Sequence, residues 1–281
     1  FRRFSMYLIV ILCALGLLQF WGAKNPLHRD EIYARWCARI AAWPQAGKHW
    51  WLQIGLALAP PVLVAVLLAW WLPPFLWVLW SILVLWYALG RGEFAPETAS
   101  YTLACNDGAW DVAVNRAFRQ GADLTGLAQG DWPQLHQRML EATAYQGFER
   151  LFAVLFWFLL FGPAGALLYR LSFLYVQFYP EERGRRWLWA LEWLPARLLG
   201  VSFAVTGNFV GCVNRWKTHV FSLASTSGSV LRETVLGALS VDDELMQSCD
   251  CTQREISALK RLYTRTLWFW LTCLAIWTLA H

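Results

Sequence analysis

Charge is what this sequence has least of: Asp, Glu, Lys and Arg make up 15% of its 281 residues, against about 25% in an ordinary soluble domain. So little polar material cannot cover a water-facing surface around long apolar runs, so lipid is the expected solvent. Histidine is scarce too. His28, His49, His136, His219 and His281 are isolated, and none stands at ligand spacing from the Cys249/Cys251 pair, so no metal is expected. The strings G-x-x-x-x-G-K-[ST], G-x-S-x-G and H-E-x-x-H are all missing, which excludes a P-loop, a nucleophile elbow and a zincin helix. Cys13, Cys37, Cys105, Cys212, Cys249, Cys251 and Cys273 are odd in number and scattered; they read as reduced thiols, not a disulfide framework. Cys249-Asp250-Cys251 is too tight in sequence to start a four-ligand zinc site. The net charge of +5 is spread over several loops with no basic stripe interleaved with aromatics, which excludes nucleic acid. No cofactor is expected.

What is abundant is apolar surface: 58% of residues are hydrophobic and 20 are tryptophan. Apolar runs cover 6–21, 50–72, 74–89, 151–169 (with an extension to 178), 193–213 and 267–280. The expected fold class is all-α, a polytopic helical membrane protein with about five or six membrane helices and small cytoplasmic helical segments. Several runs fall short of the roughly 20 residues that cross a bilayer, so tilt or local thinning has to make up the length. The first run is expected as a retained helix starting at Met6, since no small-x-small site follows it before Lys24. Pro73-Pro74 predicts a tight turn that pairs the second and third runs antiparallel. Trp50, Trp51, Trp70, Trp71, Trp187 and Trp189 sit near run ends, as interfacial belts do.

If all six runs span, one side receives Lys24, Arg29, Arg35, Arg39, Lys48, Arg91, Arg116, Arg119, Arg138, Arg150, Arg215, Lys217, Arg232, Arg254, Lys260, Arg261 and Arg265. The other receives Arg2, Arg3, Arg170, Arg183, Arg185 and Arg186. The positive-inside rule puts the richer side in the cytoplasm, with the arginines at 183–186 counting against that orientation. The expected organisation is 6–90 as N-terminal membrane helices with a cytoplasmic connection, 91–150 as a cytoplasmic helical segment, 151–213 as the central membrane core, 214–266 as a second cytoplasmic segment and 267–281 as a last membrane helix. In the first polar segment Trp110, Val114, Ala117 and Phe118 recur at helical spacing and Gly121 stops them, after which Asp131 and Pro133 can open a helix through Leu135 and Met139. In the second, Thr252 and Glu255 form a capping-box pattern, and Ile256, Leu259 and Tyr263 share a helix face that continues into the last run. The Ser, Thr and Gly of 222–229 read as a joint.

Polar residues at the edge of apolar runs carry the functional reading. Tyr145, Gln146, Glu149 and Arg150 stand at the lip of the fourth run, where a carboxylate and a guanidinium are costly to desolvate unless paired or wetted; a polar cavity and interfacial snorkelling both fit. In the fifth run Glu192 precedes Pro195 and Arg197 lies within it. At about 100° per residue Arg197, Gly200, Ala204, Gly207, Asn208 and Gly211 share one face of a helix. That small, polar face serves either close helix packing or an anion site built on Arg197 and Asn208. No catalytic residue is assigned.

These strings resemble the AmpE family of inner-membrane proteins linked to β-lactamase induction, within the CobD/CbiB superfamily. The resemblance rests on Leu89-Gly90-Arg91-Gly92-Glu93, on Ala144-Tyr145-Gln146 with Phe152-Ala153-Val154-Leu155-Phe156-Trp157, and on Leu160-Phe161-Gly162-Pro163-Ala164 with Leu168-Tyr169-Arg170-Leu171. It continues through Glu192-Trp193-Leu194-Pro195-Ala196-Arg197-Leu198-Leu199 and Gly207-Asn208-Phe209-Val210. It is best over 85–213. It implies a multi-pass protein of the bacterial inner membrane, linked to cell-wall recycling and antibiotic response. The superfamily's enzymes attach an aminopropanol arm to a corrinoid acid. Where they carry Glu-Asn-Thr-x-Asp-Gly this chain has Tyr145-Gln146-Gly147-Phe148-Glu149-Arg150, where they carry Asn-Thr-x-Asp it has Phe173-Leu174-Tyr175-Val176, and for a paired Asp-Asp it has Leu188-Trp189. With most acidic groups gone, the expectation is a non-catalytic sensor. Its partners would be the lipid bilayer, an anionic lipid or cell-wall-derived ligand held by Arg197, and a cytoplasmic protein. A cobinamide synthase and a transporter of wall fragments are the alternatives.

Overall fold

A computed structural model describes residues 2–21, 30–43, 49–89, 94–216, 226–239 and 249–280, without the side chains of 2–5, 94–97, 216 and 249–251. Outside the described residues lie Lys24, His28, His219, His281, Gly90-Arg91-Gly92-Glu93, most of the 222–229 joint, and the side chains of Cys249, Asp250 and Cys251.

Every regular element among the described residues is helical, as apolar segments in lipid require, because a helix satisfies its own backbone donors and acceptors. Three helices are long and apolar enough to cross a membrane, Trp50–Trp71, Trp132–Phe178 and Glu182–Thr206, and shorter apolar helices cover Met6–Trp21 and Pro74–Ala88. Leu67, Trp70, Trp71 and Phe75 are all more than half exposed, a surface that suits lipid and not water. The chain is a polytopic all-α membrane protein.

It divides into two interleaved compact units. The first comprises Phe1–Gly92, Arg150–Trp193 and Ala275–His281, and the second Glu93–Glu149 and Leu194–Leu274. In the first unit, α1 (Arg2–Trp21) packs on α4 (Pro74–Ala88), and α2 (Asp30–Ala41) packs on α3 (Trp50–Trp71) and α8 (Ala153–Phe178). Tyr33, Cys37 and Ile40 of α2 close over Ile54, Ala57 and Leu58 of α3 and over Leu171, Leu174 and Tyr175 of α8. Pro73 caps α4 and Pro74 opens it, with Leu72 extended at φ −75° and ψ 135°, so the proline turn forms as expected. The antiparallel pairing of its two helices does not. α3 and α4 hardly touch, because α4 turns Trp77, Ser81, Val84 and Leu85 inward against α1 and α8 instead.

The fourth run does not cross as one straight helix. Gly162 has φ 64° and ψ −150° inside α8, a conformation open to glycine alone. A Cβ on Gly165 would overlap the carbonyl oxygen of Trp157 eight residues earlier, a pair that a straight helix holds about 12 Å apart. The helix therefore bends sharply at Gly162-Pro163. Because α8 runs on to Phe178, Arg170 lies within a helix and is 2% exposed. The expectation that placed Arg170 in a connecting loop is corrected by this extension.

In the second unit, α5 (Phe94–Asn106), α6 (Trp110–Arg119) and α7 (Trp132–Gly147) build a core of Tyr101, Ala104, Ala113, Ala117, Leu135 and Met139. Gly121 has φ 84° just after α6, and Asp131 caps α7 by accepting from the Gln134 amide at 3.1 Å. α7 continues into one π-helical turn, Phe148–Phe152. α9 (Glu182–Thr206) starts before the expected run and stops inside it; α10 (Phe209–Trp216) follows and packs on α11 (Ser227–Leu239), which also meets α7. The break comes at Gly207-Asn208, where the Asn208 side chain accepts from the Gly211 amide at 3.1 Å and so opens a new helix. α12 (Cys249–Ala280) is continuous through both the polar stretch and the last apolar run. It begins three residues before Thr252, so Thr252 and Glu255 lie within its first turns and do not cap it.

Candidate functional site

Among the described residues, Glu149 at 4% exposure, Arg170 at 2%, Glu192 at 3% and Arg197 at 6% are buried charges in or beside the apolar helices, and Glu255 is buried on the polar half of α12. Of the first four, each unit holds one carboxylate and one guanidinium. Charge in such surroundings costs several kcal/mol per group unless hydrogen-bonded or paired, so these positions are the candidates for function.

In the first unit the set is built on α8 and α9. Tyr169 Oη donates to Glu192 Oε1 at 3.0 Å, with both residues buried. Trp157 Nε1 donates to the Leu191 carbonyl at 3.2 Å, and Trp187 Nε1 to Ser172 Oγ at 3.1 Å. Trp157 and Tyr169 are twelve residues apart yet reach adjacent residues of α9; a straight helix would hold them about 18 Å apart. The bend at Gly162 thus brings residues on both sides of it to one stretch of α9. The Arg170 guanidinium stands over the Phe173 ring at 5.1 Å, a cation–π contact. Arg150 is half-buried on the π-helical turn.

In the second unit the expected residues have separate employments. Tyr145 is half-buried, its ring 6.2 Å from that of Phe148. Gln146 donates from its amide nitrogen to the carbonyl of Gln120, the C-cap of α6, which ties the end of α7 to α6. The buried Gln146 Oε1 and Gln120 Nε2 have no hydrogen-bond partner among the described residues. Tyr263 of α12 donates to the Ala144 carbonyl, and its ring occupies the space where a Gly147 Cβ would stand. Arg197 is buried on α9, whereas Asn208 is exposed at the cap of α10. The small residues of that stretch meet α11 closely: a Cβ on Gly211 would overlap the Gly237 carbonyl, and one on Gly207 would stand 2.9 Å from the Ala238 carbonyl.

In the polar N-terminal part of the Trp132–Phe178 helix, ahead of its apolar run, His136 packs edge-on to Tyr101 and lies 2.7 Å from the Tyr101 hydroxyl through Nδ1. Burial pushes its pKa down to about 4. Burial pushes the Glu255 carboxyl up to about 7. Among the described residues, no group of three or more His, Cys, Asp or Glu could hold a metal ion.

Sequence reasoning named Glu149, Glu192 and Arg197 but passed over Tyr169, Arg170 and Ser172 as site residues. The missed signal was Arg170 itself, a charge inside an apolar stretch that runs unbroken to Phe178.

The fold defines a helical membrane protein with buried charge inside each of its two units. Over most of its length the chain is similar to two curated cobalamin biosynthesis proteins CobD. The protein from Chromobacterium violaceum is 27% identical over 267 residues, covering 83% of this chain and 83% of its own length. The one from Stutzerimonas stutzeri is 28% identical over 252 residues, covering 84% of this chain and 82% of its own. No family model and no solved structure matches. These similarities support the CobD/CbiB superfamily and do not single out the AmpE family within it.

Proposed function

We propose that this chain is a CobD/CbiB-like protein of cobalamin biosynthesis, multi-pass in the bacterial inner membrane, working at the amide-forming step that attaches an aminopropanol arm to a corrinoid acid. The observation that carries this reading is the similarity to two CobD proteins over more than four-fifths of the chain, joined to buried carboxylates in a helical membrane fold. Joining the corrinoid carboxyl carbon to the amine nitrogen breaks a carboxyl C–O bond, its oxygen leaving as phosphate once a nucleoside triphosphate has activated the acid. The step needs a group to accept the amine proton and a cation to hold the anionic substrate group. Each unit offers its own carboxylate for the first task and its own cation for the second, Glu192 with Arg150 in the first unit and Glu149 with Arg197 in the second. Tyr145 and Gln146 would shape the surroundings, and Asn208 would act by holding the α9–α10 break. Tyr169 is a positioning residue, since its hydroxyl fixes one Glu192 oxygen.

A second reading keeps the same fold without catalysis: a regulator resembling AmpE, in which Arg197 holds an anionic lipid or cell-wall fragment and a cytoplasmic protein receives the signal. The replacement of the enzymes' acidic strings by Phe173-Leu174-Tyr175-Val176 and Leu188-Trp189 favours it. One experiment separates the two. Expression in a strain lacking its own corrinoid-arm synthase restores cobalamin-dependent growth under the first reading. Absence of rescue with the protein present in the membrane, together with altered β-lactamase induction on its deletion, would replace the first reading by the second.

A further inference from the structure

The polar half of α12 carries a row of cations that the site above does not use. Arg254, Arg261 and Arg265 fall within about 40° of one another around the helix axis at 100° per residue. All three are exposed, and none is ion-paired among the described residues. Arg254 and Arg261 border an open groove of about 400 Å³ with Gln253 and Ser257. The same face continues to Trp268, 64% exposed, and to exposed Thr272, while residues 266–280 hold no charged side chain. One helix face thus changes from arginine to exposed apolar surface between Arg265 and Trp268, the pattern of a helix leaving the headgroup layer for hydrocarbon.

We propose that Arg261 and Arg265 form a binding surface for the headgroup of an anionic phospholipid at the membrane boundary of α12. At 1.5 Å per residue, Arg265 stands about 4.5 Å and Arg261 about 10 Å from Trp268 along the axis. The headgroup layer is about 5–8 Å deep on each side, and an arginine side chain adds the reach to place both guanidinium groups on phosphate. Arg254, about 21 Å from Trp268, is more than a Debye length beyond that layer at physiological salt. It therefore serves as an internal control.

The test uses the full-length protein in proteoliposomes with phosphatidylglycerol or phosphatidylcholine bearing a headgroup-proximal diazirine. Crosslinks on the α12 peptide are quantified by mass spectrometry. The wild-type protein is expected to favour phosphatidylglycerol. That preference should fall about fivefold in Arg261→Gln and in Arg265→Gln, at roughly 1 kcal/mol per basic residue, and by less than twofold in Arg254→Gln. It should survive in R261K/R265K, which keeps the charges. If the glutamine variants do not reconstitute, wild-type protein in about 0.05 and 1 M salt takes their place, with the preference expected to collapse at high salt. Equal crosslinking of both lipids by the wild type, an unchanged preference in the glutamine variants, or a salt-independent preference would overturn the proposal.

Discussion

Tyr169→Phe removes one hydroxyl and leaves its ring in place, so it isolates the contact that fixes Glu192. The hydroxyl donates at 3.0 Å to a carboxylate that is 3% exposed, from a tyrosine that is 0% exposed, so water does not readily replace it. Hydrogen bonds to charged groups are worth about 1.5–3 kcal/mol. At roughly 2–4 °C per kcal/mol for a chain of a few hundred residues, the variant should melt about 3–12 °C below the wild type. A thiol-reactive dye reads this directly, because Cys37, Cys105 and Cys212 are buried and free while Cys13 and Cys273 supply a constant background. Glu192→Gln should lower the midpoint as well. The double variant should lose less than the two singles together, with a coupling of about 1–2 kcal/mol. Additive losses, or a Tyr169→Phe midpoint within a degree of wild type, would refute the assignment of Tyr169 as the group that positions Glu192.

Three further expectations rest on local geometry. Gly162→Ala puts a side chain at φ 64° and ψ −150°, costing about 1–3 kcal/mol, and should broaden or shift the elution of the purified protein on size exclusion. Asp131→Ala removes the acceptor for the Gln134 amide and should cost about 1 kcal/mol, read as a lower melting midpoint. For His136 the folded pKa of about 4 lies below the ordinary 6.5, so the unfolded chain binds more protons between those values. Its contribution is complete above about pH 6.5 and is lost on acidification toward pH 4. Glu255, raised from 4.5 to about 7, acts in the opposite sense, contributing fully below pH 4.5 and losing that contribution as pH rises toward 7. Melting midpoints from pH 7 to 4.5 should therefore fall less steeply in His136→Asn and more steeply in Glu255→Gln than in the wild type.

The elements legible in the sequence were those governed by local chemistry. Asp131 with Pro133, Gly121, and Leu72 before Pro73-Pro74 each act within a few residues, and each sits where spacing placed it. Long-range partners were not legible. Nothing in 74–88 says that α4 packs on α1 and α8 and leaves α3, because its apolar residues run round most of the helix. The Gly162 bend is half-written in the sequence: Gly-Pro is a helix breaker, but the backbone angles and the Trp157–Gly165 approach decide how sharply the chain turns. The fifth run read as one helix because Gly207-Asn208 is compatible with packing as well as with a break. Tertiary contact with the Ala238 carbonyl, which accepts from the Asn208 amide at 3.0 Å, selects the break. Of the site, single charges in apolar runs were visible, while the tyrosine that holds Glu192 was hidden among many aromatics.

The most direct trial of the proposed chemistry is product formation. Membranes carrying this protein, supplied with a corrinoid acid, the aminopropanol donor and an energy source, should accumulate the amide-linked corrinoid by liquid chromatography and mass spectrometry, and Glu192→Gln membranes should make far less at equal protein. An unconverted corrinoid acid, with well-folded wild-type protein in the membrane and a CobD-type control active alongside, would contradict the account.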